Sequence, residues 1–160
     1  MLFHFKRVVL SEKFPYVLIQ SLMSLGAGLL APVLVLYFRN ATLGLHEIGL
    51  VMSTFELSMF LFEVPTGVIA DKKGRKFSMS CCFVCFVVAG AIFLHSTDVK
   101  GFLLGSVLQG FGYTCISGAL QAWVVDRLKE FGYENSISAT LISGQQGKKG
   151  GFVVGSILGG

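Results

Sequence analysis

The chain has 160 residues, of which 53% are apolar and only 14% are charged, and its mean hydropathy is +0.72. This balance is too apolar for a soluble domain of this length and too strongly patterned for a disordered chain, so both classes are excluded. A net charge of +4 is compatible with a nucleic-acid partner, but the basic residues are dispersed among several segments instead of forming one surface. The sequence therefore predicts an all-α membrane protein that crosses the bilayer several times and binds no nucleic acid.

The first predicted elements are a surface segment and a membrane span. Residues 1–15 include three basic residues, and we expect them to form an amphipathic segment on the cytoplasmic surface. Residues 16–38 form an apolar run that exceeds the ~20 residues needed to cross the hydrocarbon core. Gln20 in this run is polar enough to face the interior of a helix bundle, either as a packing contact or as a contact to substrate.

The second predicted span, residues 48–70, is unusual because it holds two carboxylates. Glu56 and Glu63 are seven residues apart and therefore share one face of a helix. Glu56 would lie roughly 12 Å from the outer end of the span, near the middle of the bilayer. Because an ionisable residue at this depth is costly, it indicates a functional site. We predict that both residues handle protons or substrate; the alternative is that Glu56 bonds to a neighbouring helix and Glu63 supports the charged segment that follows.

A charged segment separates the second span from the third. Gly67 to Lys76 have the sequence GVIADKKGRK, and we expect them to form a loop of about ten residues that turns the chain back. Asp71 and Arg75 are four residues apart, so on a helical turn they would meet on one face. Gly74 between them permits a turn that a side chain would resist. The excess of positive charge is typical of any cytoplasmic loop, but that does not explain the spacing.

The spacing Gly-x-x-x-Asp-x-x-Gly-Arg-Lys, preceded by the sequence EVPTG, resembles the loop between the second and third helices of major facilitator superfamily transporters. The resemblance implies a gating motif whose members are Gly67, Asp71, Gly74, Arg75 and Lys76. In that family the aspartate braces a helix of the other half of the transporter. Asp126, at the end of the fourth span on the same side, would complete a charge cluster with Asp71 and Arg75.

The third predicted span, residues 77–94, is short and rich in cysteine. Cys82 and Cys85 have the spacing of half a metal or redox site. Because no histidine or second cysteine pair accompanies them, we expect these cysteines to pack against other helices and to bind no metal.

The fourth predicted span covers residues 102–125. Its sequence Ser106-x-x-Gln109-Gly110 resembles the Arg-x-x-Gln-Gly motif of the superfamily, with serine in the position of the arginine. The residue that the resemblance associates with proton transfer is therefore absent, and Gln109 is the remaining candidate for proton or substrate handling. Four glycines of this span should let other helices approach closely: Gly105, Gly110, Gly112 and Gly118.

Residues 126–147 are predicted to form a cytoplasmic connecting segment, and residues 148–160 the truncated start of a fifth span. Glycines recur every four residues from the end of the connecting segment onward, at Gly147, Gly151, Gly155 and Gly159. They would form a bare stripe for helix packing, which we expect to have no partner in this chain. The pattern resembles the Gly-x-x-x-Gly-Pro-x-x-Gly-Gly motif of drug-exporting antiporters, with Ser156 in the position of the proline.

The basic residues indicate the orientation of the spans. Counted along the predicted spans, eleven fall on one side: Lys6, Arg7, Lys13, Lys72, Lys73, Arg75, Lys76, Arg127, Lys129, Lys148 and Lys149. Only Arg39 and Lys100 fall on the other side. Since basic residues accumulate on the cytoplasmic side, the pattern predicts a cytoplasmic amino terminus.

Together these features predict the amino-terminal part of a major facilitator superfamily bundle, with four complete transmembrane helices and the start of a fifth. The resemblance implies a secondary transporter of the plasma membrane, not an enzyme, that exports small molecules by proton-coupled, drug-type antiport and needs no cofactor. Its partners would be a small-molecule substrate, protons, the lipid bilayer and the missing carboxy-terminal half. Two alternatives remain open: a small helical membrane protein that acts by binding a membrane partner, and a non-functional truncated product.

Overall fold

A computed structural model describes the backbone of residues 2–41 and 43–160 and the side chains from residue 13 onward, apart from residue 42. In these residues nearly the whole backbone is helical and no strand is present, which confirms the predicted all-α fold. Within this described part, four helices are long and apolar enough to cross a membrane, as predicted from the apolar runs. The basic residues predicted to lie on the membrane surface within residues 1–12 have side chains outside the described part.

In chain order the helices are α1 (Leu2–Asn40), α2 (Leu45–Lys73), α3 (Arg75–His95), α4 (Val99–Glu130), a 3₁₀ turn (Glu134–Ser136) and α5 (Ile137–Gly159). These helices extend beyond the predicted spans, and the limits of the spans within them stay predictions. α5 in particular begins at Ile137, well before residue 148. The later part of the expected connecting segment is therefore helical, although its residues are mostly polar or small.

The contacts divide the chain into two compact units. The terminal unit consists of Met1–Leu36 and Gln121–Gly160, and the central unit of Tyr37–Leu120. α1 and α4 each contribute to both units. In the described residues, every buried nitrogen or oxygen atom of a side chain has a hydrogen-bond partner. This agrees with a bilayer location, where water cannot satisfy such groups.

The terminal unit is built on direct contact between the backbones of α1 and α5. A Cβ atom added at Gly151, Gly155 or Gly159 would collide with the carbonyl oxygen of Ser21, Leu25 or Leu29, respectively. The contact is reciprocal, since a Cβ at Gly28 of α1 would collide with the backbone of α5 at Phe152. The small residues therefore allow the two helices to approach to backbone contact.

The expectation that the glycine stripe has no partner in this chain is therefore wrong. The stripe also begins earlier than predicted, because Gly144 lies against the ring of Tyr16, which is fully buried. Gly147 continues it beside Val17. We call this contact between α1 and α5 the glycine seam.

Glycines of α4 bring three helices of the central unit together. A Cβ at Gly110 would lie 2.8 Å from the carbonyl oxygen of Phe55 in α2, and one at Gly112 would lie 2.9 Å from Cβ of Cys85 in α3. Gly105 is covered by the ring of Phe93. A Cβ added at Gly118, by contrast, would have no neighbouring atom within 4 Å among the described residues, so the close approach expected there stays a prediction.

An aromatic cluster closes the central unit at the end away from Gly74. The rings of Phe38, Phe93 and Phe102 are nearly fully buried and have centroids 5.2–6.1 Å apart. Tyr37 packs edge-on against Phe102 at 6.3 Å and donates a hydrogen bond from Oη to the carbonyl oxygen of Phe93, 2.8 Å away. The last turn of α1 is thereby fixed to α3 and α4.

Candidate functional site

The connection between α2 and α3 is a single residue. α2 ends at Lys73 and α3 begins at Arg75, so only Gly74 is outside a helix. Its N–H donates to the carbonyl oxygen of Ala70 at 3.0 Å, and its carbonyl oxygen accepts from the N–H of Ser78 at 3.2 Å. The predicted loop of about ten residues is therefore wrong, because the helices continue through the charged positions.

The backbone of Gly74 explains why a glycine stands at this position. Its φ of 89° and ψ of 152° lie in a region that residues with a side chain rarely adopt. Gly67, the other glycine of the motif, is helical, and no atom of the described residues lies within 4 Å of an added Cβ. The basic residues Lys72 and Lys73 are favourable in the last turn of α2, where the helix dipole is negative.

Gly74 also changes the relation between Asp71 and Arg75. Asp71 is exposed in the last turn of α2, whereas Arg75 is the first residue of α3, so the two are not neighbours on one helical turn. Asp126 lies in α4, in the terminal unit. The cluster of these three residues stays a prediction.

The two carboxylates of α2 lie on its exposed side. Glu56 and Glu63 are both exposed, and Phe60 between them is 76% exposed. Most buried residues of this helix lie elsewhere on its surface, at Ile48, Val51, Ser58 and Thr66, and only Ala70, near the end of the helix, lies on the side of the carboxylates. The carboxylates therefore point away from the helices that pack against α2 in the central unit.

The two candidate glutamines lie in different units. Gln20 is 7% exposed in α1, where its Nε2 donates to Oη of Tyr16 at 3.4 Å. Gln109 is half-buried in α4. It is adjacent to Gly110, which contacts α2 at Phe55, the residue before Glu56. Gln109 and Glu56 are thus each one residue from a point where their two helices touch.

The cysteines are free thiols, and three of them are buried: Cys82, Cys85 and Cys115. Cys85 lies against Gly112, and the carbonyl oxygen of Cys115 accepts a hydrogen bond from Oγ of Ser78 at 2.9 Å. These contacts place Cys85 and the backbone of Cys115 in the packing between α3 and α4.

Sequence reasoning missed the α1 side of the glycine seam. Gly28 makes backbone contact with α5, and Tyr16 covers Gly144. A signal was present, because Gly28 belongs to a run of small residues in the first span. That signal identifies a packing surface but not the helix that covers it.

Several membrane-length helices, close helix packing through glycine and a single-residue connection between charged helix ends define a multi-pass membrane protein. The sequence profile of the Major Facilitator Superfamily matches residues 16–160. The chain belongs to this superfamily, as its motifs predicted.

Several curated relatives are similar to the chain. YxaM of Bacillus subtilis, an uncharacterized MFS-type transporter, is 28% identical over 104 residues, which are 65% of this chain and 26% of that protein. MJ1560 of Methanocaldococcus jannaschii, also an uncharacterized MFS-type transporter, is 25% identical over 139 residues, or 85% and 34% of the two chains. The quinolone resistance protein NorA of Staphylococcus aureus is 26% identical over 145 residues, or 87% and 35%. The matches thus span about a quarter to a third of the length of these relatives.

Proposed function

We propose that this chain is part of a secondary transporter that exports small organic molecules in exchange for protons. Membership of the superfamily supports transport, and the similarity to a protein named for quinolone resistance supports drug-type export. In this proposal the substrate crosses by alternating access between two halves of the complete transporter. The chain resides in the plasma membrane with its amino terminus in the cytoplasm.

The observation that carries proton coupling is the exposed pair of carboxylates on α2. Glu56 and Glu63 lie on a helix of membrane length, where an ionised side chain facing hydrocarbon is costly. A carboxylate there is stable when it is protonated, when a cation pairs with it or when it faces a water-filled cavity. Exchange among these states as the transporter opens to either side would couple proton movement to substrate export.

The remaining candidates have supporting roles in this proposal. Gln109 lies beside the same stretch of α2 and can offer both a donor and an acceptor to substrate or water. Gln20 is held by Tyr16 in the terminal unit and would orient substrate from α1. The charged residues on both sides of Gly74 would act as the cytoplasmic gate.

The test is export of a quinolone by the complete transporter in cells that lack their own exporters. We expect lower quinolone accumulation in cells that contain the transporter, and loss of this effect when a protonophore collapses the gradient. Glu56→Gln should abolish gradient-dependent export while the protein still reaches the membrane. Glu134→Gln, which removes an exposed carboxylate outside the four candidate spans, is the matched control and should export normally.

Two results would contradict the proposal. Export that persists undiminished with the protonophore would exclude proton coupling. Gradient-dependent export by the Glu56→Gln variant would show that Glu56 is a packing residue.

A further inference from the structure

Four basic residues meet at one end of the α2–α3 pair. Lys72 and Lys73 are the last two residues of α2, and Arg75 and Lys76 are the first two of α3. Because Gly74 alone separates the helices, these four cations fall within five consecutive positions. The connection therefore concentrates positive charge where two membrane-length helices end.

Three of the four basic side chains are accessible from outside the chain, whereas Arg75 is half-buried. Lys72, Lys73 and Lys76 are all exposed. Nζ of Lys73 lies 5.1 Å from the centroid of the Phe77 ring, which is 48% exposed. A cation beside an exposed aromatic ring at the end of an apolar helix is an arrangement that the membrane–water interface favours.

We propose that this basic cluster, consisting of Lys72, Lys73, Arg75, Lys76 and Phe77, binds the headgroup of an anionic phospholipid in the adjacent leaflet. The charge of the cluster identifies the occupant, because a lipid phosphate supplies the negative charge that ammonium and guanidinium groups pair with.

The apolar surface next to the cluster fits the rest of the lipid. Beyond Phe77, the same face of α3 continues with the exposed side chains Val84 and Val88. These residues would line the acyl chain of a lipid whose headgroup lies on the basic cluster. A soluble anion has no part that would use this surface, which favours the lipid as occupant.

A role in topology alone makes a different prediction. Basic residues that only orient the protein in the membrane require no lipid preference at their own position. A binding site, by contrast, enriches anionic over zwitterionic lipid beside the cluster. Relative lipid affinity at this position therefore separates the two explanations, and it does so without any measurement of transport.

The experiment places a tryptophan reporter in the cluster. Trp123 is the only tryptophan of the chain, so Phe77→Trp in a Trp123→Phe background reports on the cluster alone. The reporter chain is reconstituted in phosphatidylcholine vesicles that contain either brominated phosphatidylglycerol or brominated phosphatidylcholine. The two quenching curves give the affinity ratio of the two lipids, and we expect phosphatidylglycerol to be preferred about fivefold or more.

Two triple variants of the reporter chain have the same change in charge. Lys72→Gln/Lys73→Gln/Lys76→Gln should lower the affinity ratio to near one. Lys100→Gln/Lys129→Gln/Lys149→Gln removes three exposed lysines elsewhere and should leave the preference intact. Raising the salt concentration should also weaken the preference in the reporter chain, because the attraction is electrostatic.

The proposal is overturned if the reporter chain shows an affinity ratio near one, or if the control triple variant loses as much preference as the cluster variant. Circular dichroism checks that each variant keeps its helices. If the cluster variant loses its helices, the salt dependence of the reporter chain is the test instead. An affinity ratio of the reporter chain that does not fall as the salt concentration is raised then overturns the proposal.

Discussion

At the scale of single residues, Gly74 and Gly67 belong to the same motif but are required for different reasons. Gly74 has a positive φ and open space around its Cβ position, so its backbone angles alone exclude other residues. Gly67 has helical backbone angles, and no atom of the described residues would crowd an added Cβ. Neither backbone angles nor steric crowding within this chain therefore requires a glycine at position 67. The sequence identifies both glycines but does not distinguish these roles.

We expect Gly74→Ala to destabilise the chain by about 1–3 kcal/mol, which is the usual cost of a side chain in a sparsely populated backbone region. Gly67→Ala is the matched control and should be neutral or stabilising by up to about 1 kcal/mol, because alanine is the better helix former. Thermal unfolding in detergent, followed by circular dichroism, measures both variants. Equal melting temperatures for the two would contradict the assignment.

The predicted face of α2 shows what spacing can and cannot establish. A separation of seven residues places Glu56 and Glu63 on one side of a helix, and the structure has both exposed. Spacing does not reveal which helices cover the other side. That depends on contacts such as the one between Gly110 and Phe55, which join distant parts of the sequence.

At the scale of helices, hydropathy predicted the four candidate spans because each is a long apolar run. It did not predict the early start of α5, since residues 137–147 are polar and rich in small residues. Thr140 and Gly144 are nonetheless buried there, and Gly144 packs against Tyr16 of α1. Packing at the glycine seam therefore supports this helix where its composition gives no such signal.

The glycine seam predicts opposite effects for two identical substitutions in α5. Gly155→Ala would bring a methyl group against the carbonyl oxygen of Leu25, whereas Gly150→Ala adds one where no atom of the described residues lies within 4 Å. We expect Gly155→Ala to destabilise the chain by about 1–3 kcal/mol through overpacking. Gly150→Ala should leave the melting temperature unchanged or raise it slightly. Similar losses for both variants would contradict the assignment of Gly155, and not Gly150, to the seam.

At the scale of the whole molecule, the asymmetry of basic residues predicts that Lys73 faces the cytoplasm and Thr97 the exterior. Single cysteines at these two positions, in a chain without its native cysteines, test this orientation with a reagent that does not cross membranes. In intact cells we expect labelling at position 97 and protection at position 73. Labelling of position 73 from outside would contradict the predicted orientation and indicate the opposite one.

We also expect the 160-residue chain alone to show no substrate flux. It corresponds to about a quarter to a third of the length of its curated relatives, and alternating access requires one half of a transporter to move against another. Liposomes that contain the purified chain should therefore release substrate no faster than empty vesicles. Saturable flux from the chain would instead indicate an oligomeric carrier.

The glycine seam also sets an order of events during biogenesis. Tyr16 and Gly144 are separated by about 130 residues, so α1 leaves the ribosome long before its partner surface exists. At a synthesis rate of about 5–20 residues per second, this interval lasts roughly 6–26 s. During that time the face of α1 with Ser21, Leu25 and Gly28 lacks the helix that later covers it. The seam can therefore form only after α5 is made, and until then α1 is in the membrane without this contact.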